Sequence, residues 1–345
     1  MMHLLGRTTA ELQEWLVGRG QPRYRAPQIE RWLYQQRAHE FAGMSDLPVD
    51  LRRELAEEFA IWTTRLAARD SAPDGTEKLL LELSDGGRIE CVLLRDRQRR
   101  TVCISTQVGC AMGCVFCASG LDGVARNLTR GEIVEQMLQL ARLLPPGERL
   151  SHIVVMGMGE PLANLPQIVP ALDRACSPDG LGISVRRVTV STVGLPPAMR
   201  RLADRDPRFH LAVSLHAPND ELRNRLVPAN RRTGLAAILA AADRYFEASS
   251  RRLTFEYVLL ADVNDQPEHA RQLAGLLRHR PALLNVIPYN PVPGLPYLTP
   301  SPAAQNRFRS ILEQAGINIQ FRERKGSDIN AACGQLRRTS FPPGQ

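Results

Sequence analysis

Apolar and polar positions follow two different periods in the first hundred residues. Over residues 1 to about 75, apolar side chains recur every three to four residues, and Thr8 opens a capping-box sequence of the kind that begins a helix. Residues 78–83 and 88–94 are then strand-like apolar runs around Asp85-Gly86-Gly87, which is typical of a hairpin turn. The pattern predicts a helical module followed by a β-hairpin.

A polar, basic stretch over residues 95–100 is predicted to be a solvated loop, and from Thr101 onward strands and helices alternate. Such alternation predicts an α/β fold with a parallel sheet covered by helices, either doubly wound or a partial barrel. The predicted strands are 101–106, 152–156, 187–192, 210–215, 253–259, 283–288 and 317–321. The predicted helices between and after them are 130–143, 166–176, 196–204, 233–247, 266–279 and 301–315.

Composition agrees with a globular protein. The 345 residues are 43% hydrophobic and 23% charged, which excludes disordered, collagen-like and low-complexity chains. No apolar run reaches the roughly 18–20 residues of a membrane-spanning helix, and the first seven residues have no apolar core of a signal peptide. We therefore expect a cytoplasmic protein without a membrane partner.

The basic residues are almost all arginine. Lys and Arg number 44 against 36 Asp and Glu, for a net charge of +8, and only Lys78 and Lys325 are lysines. The planar guanidinium group suits phosphates and stacks on bases, which favours a nucleic acid partner. A bias in genome composition explains the arginines equally well, so both readings stay open at this point.

Three of the seven cysteines lie within eight residues, directly after the predicted strand 101–106. Cys110, Cys114 and Cys117 form a C-x3-C-x2-C run on a short loop. The odd cysteine count without an export signal argues against a disulfide framework. Three thiolates can bind a [4Fe–4S] cluster and leave one iron open. A structural zinc site needs a fourth Cys or His, and none stands beside the run.

This cysteine spacing, with an aromatic residue before the third cysteine, resembles the radical S-adenosylmethionine (SAM) superfamily. Gly159 and Glu160 follow the predicted strand 152–156 and begin a Gly-Glu-Pro sequence like the superfamily's loop at that place. The resemblance implies a partial (β/α)6 radical SAM barrel. It also implies that the three cysteines hold the cluster, that the open iron binds SAM, and that Gly159 and Glu160 hold the SAM amino group.

A narrower resemblance is to the RlmN/Cfr family, whose members methylate an adenine carbon in RNA. The segments that carry it are 107–110, 126–129, 157–162, 214–220 and 328–336. The match runs from the N-terminal helices to about Leu336. It divides the chain into an RNA-binding helical accessory domain (1–75), a β-hairpin extension (76–100), a partial barrel that ends in a catalytic cysteine segment (101–336), and a tail (337–345).

The resemblance implies roles for two cysteines outside the loop. Cys333 would accept a methyl group from one SAM, and a second SAM would supply the radical that removes a hydrogen from that S-methyl group. The resulting methylene would add to the adenine, and Cys103 would release the product by forming a disulfide with Cys333. Glu90 aligns with the proposed proton acceptor of the family. Taken alone, each cysteine would be an ordinary buried thiol, and Glu90 a solvent-facing strand residue.

Further positions match SAM-contacting positions of the family. Small hydroxyls and an amide suit a ribose and a carboxylate, although His216 could equally be a core histidine. Cys91 and Cys176 match no catalytic position, and we interpret both as packing residues. The matching positions are Ser191, Ser214, Leu215, His216 and Asn290.

The resemblance implies methylation of carbon 2 of adenosine, at adenosine 2503 of 23S rRNA and adenosine 37 of tRNAs. Segments 159–162, 218–220 and 287–291 look like RlmN, whereas segment 324–327 departs from its pattern. The implied partners are both RNAs and an electron donor such as flavodoxin or ferredoxin, and the implied state is a monomer. The alternatives are Cfr-type methylation of carbon 8 and a catalytically inactive RNA-binding assembly factor, which loss of Cys103, Cys333 or a cluster cysteine would indicate.

Overall fold

The structure is a computed structural model that describes residues 1–205, 208–322 and 325–338. Its strands are β1 (Met2–His3), β2 (Phe59–Ala60), β3 (Arg65–Ser71), β4 (Glu77–Glu82), β5 (Arg88–Asp96), β6 (Arg99–Cys103), β7 (Gln107–Gly109), β8 (Val124–Asn127), β9 (His152–Val155), β10 (Val188–Thr192), β11 (His210–Ser214), β12 (Leu253–Leu259), β13 (Ala282–Pro288) and β14 (Ile319–Phe321). Ten of these strands form one large sheet, which positions most of the residues discussed below.

Helices cover this sheet and form most of the N-terminal module. They are α1 (Thr9–Val17), α2 (Arg25–Tyr34), α3 (Val49–Glu58), α4 (Arg130–Ala141), α5 (Leu165–Cys176), α6 (Pro196–Ala203), α7 (Asp220–Leu226), α8 (Leu235–Ser249), α9 (Pro267–Leu277) and α10 (Pro302–Gln314). Within the described ranges, no helix combines the length and the apolar character needed to span a membrane.

The parallel half of the sheet confirms the predicted α/β fold. Seven strands lie side by side in the order β6-β9-β10-β11-β12-β13-β14, and every neighbouring pair is parallel. β14 is an edge strand of the sheet and does not pair with β6, so the barrel is partial. The carboxyl ends of parallel strands meet at one edge, and loops at that edge can bring distant residues together.

The other half of the sheet corrects two sequence predictions. Residues 65–71 are not helical, because β3 pairs antiparallel with β4. Residues 95–100 are not a solvated loop either, since Asp96 pairs with Arg99 across β5 and β6. The predicted hairpin is therefore part of a four-stranded antiparallel extension that continues into the barrel sheet. The division into domains at residues 75 and 100 stays a prediction.

The sequence signal for β3 was weak for a physical reason. Its residues are mostly exposed or half-buried, so no apolar alternation identifies a buried face. Its backbone pairing with β4 places it in the sheet, and a pairing between strands is not visible in the local pattern.

The N-terminal helices are joined to the barrel through a buried carboxylate. Glu135 on α4 is fully buried and accepts hydrogen bonds from the backbone and hydroxyl groups of Thr63 and Thr64, the shortest of them 2.6 Å. His3 Nε2 lies 3.3 Å from the same carboxylate. A buried carboxylate is stable only with such partners, so this contact fixes the module against the barrel.

Candidate active site

A short antiparallel pair holds the cysteine loop. β7 pairs with β8, and the Cys110 N–H donates to the Gly123 carbonyl at 2.9 Å, which closes the loop between the two strands. Gly109 has a φ of +82°, and a Cβ there would lie 2.0 Å from the Gly123 carbonyl oxygen. Glycine is therefore required at the base of the loop. Sequence reasoning did not find these two short strands, and their glycine requirement is visible only in three dimensions.

The three cysteines of the loop form a donor set that suits an iron–sulfur cluster. Burial raises the pKa of Cys110 to about 12 and that of Cys114 well above its usual value, and the neighbouring thiols add to both shifts. Burial also raises the pKa of Cys117. Grouped thiols of this kind lose their protons when a metal compensates the negative charge.

All seven cysteines are free in the structure. Within the described residues, no three His, Cys, Asp or Glu side chains are grouped as a site for a single metal ion. A cubane differs from such a site, because each cysteine binds its own iron at a different corner. Three thiolates suit a cluster that leaves one iron open, whereas a structural zinc site needs a fourth Cys or His beside the run.

A cavity lies beside the cysteine loop at the carboxyl ends of the strands. It brings together the three cluster cysteines and most of the positions predicted to contact SAM. Leu215 is the exception, because its side chain is fully buried in the core and its N–H donates to the Glu256 carbonyl at 2.9 Å. The predicted residues that line the cavity are Gly159, Glu160, Ser191, Ser214, His216, Asn290 and Cys333.

The Gly-Glu-Pro loop is rigid in the structure. Gly159 has a φ of +104°, and a Cβ there would approach Gln107 to 2.7 Å, so only glycine fits. The two Glu160 carboxylate oxygens accept the N–H groups of Val193 and Leu162 at 2.8 and 2.9 Å. Burial raises the pKa of Glu160, whereas these backbone donors lower it. The loop thus presents a fixed, hydrogen-bonded carboxylate at the cavity.

His216 both lines the cavity and packs into the structure. Its Nδ1 accepts the Val258 N–H at 3.0 Å, which places the ring proton on Nε2, and its ring meets Phe116 edge-on at 4.9 Å. Burial, helped by Arg223, lowers the pKa of His216 to about 3. The ring is therefore neutral at physiological pH and acts as a hydrogen-bonding wall of the cavity.

Arg223 is a site residue that sequence reasoning missed. It lies on α7, is 1% exposed, and donates to the carbonyls of Leu215 and Ser214 at 2.9 Å and to that of Val193. Burial lowers its pKa to about 10, opposed by Cys114 and Asp220. Its cation stands near the cluster loop and joins the ends of two strands. One arginine among many gives no sequence signal for such a position.

A second cavity lies on the other side of Cys333. Cys103, at the end of β6, lines it together with several cations. Four residues line both cavities, namely Met156, Ile287, Asn290 and Cys333. Cys333 thus lies in the shared wall, between the cluster cysteines and Cys103. The cations of the second cavity are Arg99, Arg186, Arg187, Arg322 and Lys325.

Hydrogen bonds hold the segment that carries Cys333 on both sides. The Asn290 side chain donates to the Cys333 carbonyl at 3.3 Å, and the Ala118 N–H donates to the Gly334 carbonyl at 2.8 Å. The segment therefore bridges the cysteine loop and the loop after β13.

Cys103 and Glu90 differ in their position relative to the two cavities. Burial raises the pKa of Cys103 to about 12, the nearby Cys333 adds to the shift, and Arg322 opposes it. Glu90 lines neither cavity, although Val92 on the same face of β5 lines the second one. Glu90 is 3% exposed, so the solvent-facing alternative for this carboxylate is wrong.

Comparisons with known proteins agree with this geometry. Residues 104–274 match the Radical SAM superfamily, and residues 2–61 match the ribosomal RNA large subunit methyltransferase N-terminal domain. The chain is 64% identical over 336 residues, 97% of its own length and 91% of the relative's, to a probable dual-specificity RNA methyltransferase RlmN of Rhodopirellula baltica. The chain belongs to the RlmN family of radical SAM RNA methyltransferases.

Two other known proteins match nearly the whole chain at lower identity. A probable dual-specificity RNA methyltransferase RlmN of Symbiobacterium thermophilum is 46% identical over 339 residues, which cover 97% of this chain and 91% of the relative. The crystal structure of a radical SAM methyltransferase from Sphaerobacter thermophilus has a TM-score of 0.95 at 46% identity, covering 98% of this chain and all of that one. Membership implies a [4Fe–4S] cluster and SAM as cofactors.

Proposed function

We propose that the protein methylates carbon 2 of adenosine, at adenosine 2503 of 23S rRNA and adenosine 37 of tRNAs, through S-methylation of Cys333. The position of Cys333 in the wall between two cavities carries the proposal, since it can meet SAM on one side and RNA on the other. The relatives' name, dual-specificity RNA methyltransferase, supports two kinds of RNA substrate.

The first cavity suits the cofactors. Cys110, Cys114 and Cys117 would hold the cluster, and Gly159 and Glu160 would hold the SAM amino group at the rigid loop. When bound, the cluster and two SAM molecules per turnover supply one methyl group and one radical hydrogen abstraction. The electron would come from a flavodoxin or ferredoxin, and the protein would act in the cytoplasm as a monomer.

The second cavity suits the covalent steps on RNA. The Cys333 sulfur takes the methyl group, and the derived methylene carbon bonds to the adenine. Glu90 accepts the proton that leaves the adenine carbon. The Cys103 thiol then gives up its proton and its sulfur attacks the Cys333 sulfur, while the sulfur–carbon bond breaks and the former methylene carbon takes up a proton to become the methyl group. The unpaired electron left on the base returns to the electron carrier, and a Cys103–Cys333 disulfide remains as the methylated base leaves.

Unpaired arginines at the second cavity support an RNA entrance there. Within the described residues, the guanidinium groups of Arg99, Arg186 and Arg187 have no ion-pair or hydrogen-bond partner. Most arginines of the N-terminal module have a partner instead, as Arg31 has in Asp46 at 2.5 Å. Free cations attract phosphates, and a target adenine must turn out of its stack to reach Cys333.

Two cysteine variants should fail differently. Cys333→Ala has no sulfur to methylate and should form neither S-methylcysteine nor product. Cys103→Ala should still be methylated on Cys333 and still bond to the adenine, but the RNA should stay attached to the protein. The measurement is a denaturing gel of each variant with RNA and SAM under anaerobic reduction. Full turnover by either variant would contradict the assigned roles.

Mass spectrometry of adenosines from RNA treated with the purified enzyme separates the remaining alternatives. The proposal predicts 2-methyladenosine, whereas a Cfr-type enzyme would make 8-methyladenosine. RNA binding without any methylated adenosine would indicate an assembly factor. Sequence segments 159–162, 218–220 and 287–291 favour the first outcome, and all five cysteines of the scheme are present.

A further inference from the structure

Lysine occurs at only two positions of this arginine-rich chain, and one of them is buried. Lys78 on β4 is 7% exposed, whereas 42 of the 44 basic residues are arginine. An ammonium group is a compact point charge with three donors, while a guanidinium group is larger and planar. A buried ammonium group must have its charge compensated by neighbouring groups, so the partners of Lys78 show what it does.

Lys78 lies between two carboxylates. Its Nζ is 2.9 Å from Glu90 Oε1 and 3.6 Å from Asp70 Oδ2. Strand pairing produces this arrangement, because Asp70 lies directly opposite Lys78 and Glu90 lies opposite Leu80, two residues along the strand. The Lys78 and Glu90 side chains are 9% and 4% exposed, and the Asp70 side chain is 49% exposed.

The other Glu90 oxygen touches the segment that carries Cys333. The Arg337 N–H donates to Glu90 Oε2 at 2.7 Å. A carboxylate oxygen accepts two hydrogen bonds, so each Glu90 oxygen keeps one lone pair for a proton. Lys78 and the Cys333 segment therefore hold Glu90 from both sides, and its oxygens can still accept further hydrogen bonds.

We propose that Lys78 is a positioning residue for Glu90. The Lys78 ammonium group keeps the buried Glu90 carboxylate ionised and oriented to accept the proton from the target adenine. This inference rests on the proposed function. In the step, the C–H bonding electrons stay with the adenine, one proton moves to Glu90, and the carboxylate becomes a carboxylic acid. Lys78 keeps its own proton throughout.

The charges around Glu90 support this role. Burial raises the pKa of Glu90, Lys78 lowers it, and Asp70 raises it. The Cys91 thiol is the other titratable neighbour, and burial raises the pKa of Cys91 well above its usual value, which keeps it neutral. Without the Lys78 ammonium, the effect of burial is no longer opposed by a neighbouring cation, and Glu90 becomes protonated at a higher pH.

Single-turnover release of methylated RNA, measured from pH 6 to 9, tests the inference. In Lys78→Met, methylation of Cys333 and attachment of RNA should persist. The acidic limb of release should move up by about one pH unit, so release should slow by up to about tenfold at the acidic end of this range. Attached RNA should therefore accumulate, as in Cys103→Ala. Arg65→Met is the matched control, because Arg65 forms an exposed pair with Glu82 on the same strands.

Two further variants separate charge from structure. Lys78→Arg keeps the cation and should keep the acidic limb near that of the wild type, and Asp70→Asn should move the limb down. These two variants carry the test if Lys78→Met does not fold. The inference would be overturned if the acidic limb of Lys78→Met lay at the same pH as that of Arg65→Met. It would also be overturned if Lys78→Arg moved the limb as far as Lys78→Met does. Wild-type enzyme that forms no attached RNA and no methylated adenosine would instead overturn the proposed function.

Discussion

At the scale of single residues, burial determines which groups of the site carry charge. The cluster cysteines are protonated at neutral pH without metal, because burial raises the pKa of Cys110 to about 12. His216 is neutral because burial lowers its pKa to about 3. Glu160 is buried as well, yet two backbone donors satisfy its oxygens. The same desolvation thus keeps the cluster thiols protonated until a metal binds and keeps the His216 ring neutral.

Iron content should depend on the loop cysteines alone. Cys114→Ala removes one of three thiolates, so anaerobically purified protein should hold iron and sulfide only at background level. Cys176→Ala is the control, since Cys176 ends α5 and lies outside both cavities. Iron and sulfide analysis after reconstitution measures the effect. Stoichiometric zinc without iron in the wild type would contradict the cluster assignment.

At the scale of elements, α4 connects the parts of the molecule. Its first turn has a capping box in which the Thr129 side chain accepts the Glu132 N–H and Glu132 binds the Thr129 N–H. Gln136 in its middle exchanges two hydrogen bonds with the Ser105 backbone at 2.8 and 3.0 Å, and Glu135 reaches the N-terminal module. The helix therefore fixes the strand end that leads into the cysteine loop.

Removal of this cap should destabilise the protein. Thr129→Ala should lower the free energy of unfolding by about 1 kcal/mol, because an N–H of the first turn loses its acceptor. Urea unfolding followed by circular dichroism measures the change. Thr8→Ala removes the equivalent box of α1 and should lower the free energy of unfolding by a comparable amount. Unchanged stability in both variants would contradict the capping assignment.

At the scale of the whole molecule, the distribution of charge matters more than its sum. The net charge of +8 includes N-terminal arginines that pair with acidic neighbours, such as Arg53 with Asp50 at 3.0 Å. Arg99, Arg186 and Arg187 at the second cavity have no such partners within the described residues. A cation without an acidic partner can bind a phosphate without first breaking an ion pair, so RNA affinity should depend on the cavity rim.

Substitution of the rim arginines should change the salt dependence of RNA binding. Replacement of Arg99, Arg186 and Arg187 by glutamine should weaken binding and reduce the slope of log affinity against log salt by about 1 for each RNA phosphate that is no longer neutralised. Filter binding across a salt series measures the slope. Arg53→Gln is the control and should leave it unchanged. Deletion of residues 1–75 is not a clean test, because it would remove β3 from the large sheet.

Much of the architecture could be predicted from local spacing. The capping boxes at Thr8 and Thr129 are confirmed, and the predicted strands and helices after residue 101 agree with the structure within a few residues. The sequence prediction missed β3 because its residues show no alternation of apolar and polar positions. It missed β7 and β8 because these strands are only a few residues long. Hydrophobic periodicity and helix capping depend on residues that are close in the chain, so both can be recognised in a single sequence.

Local sequence was enough to predict the cysteine loop, the Gly-Glu-Pro loop and the order of strands and helices, since each depends on residues close together in the chain. Three-dimensional packing was needed to show that Cys333 lies between two cavities, that Arg223 joins two strand ends, and that Lys78 binds Glu90. Strand register and the return of the C-terminal segment create these contacts. Neither is encoded in local spacing, because each depends on how distant segments pack.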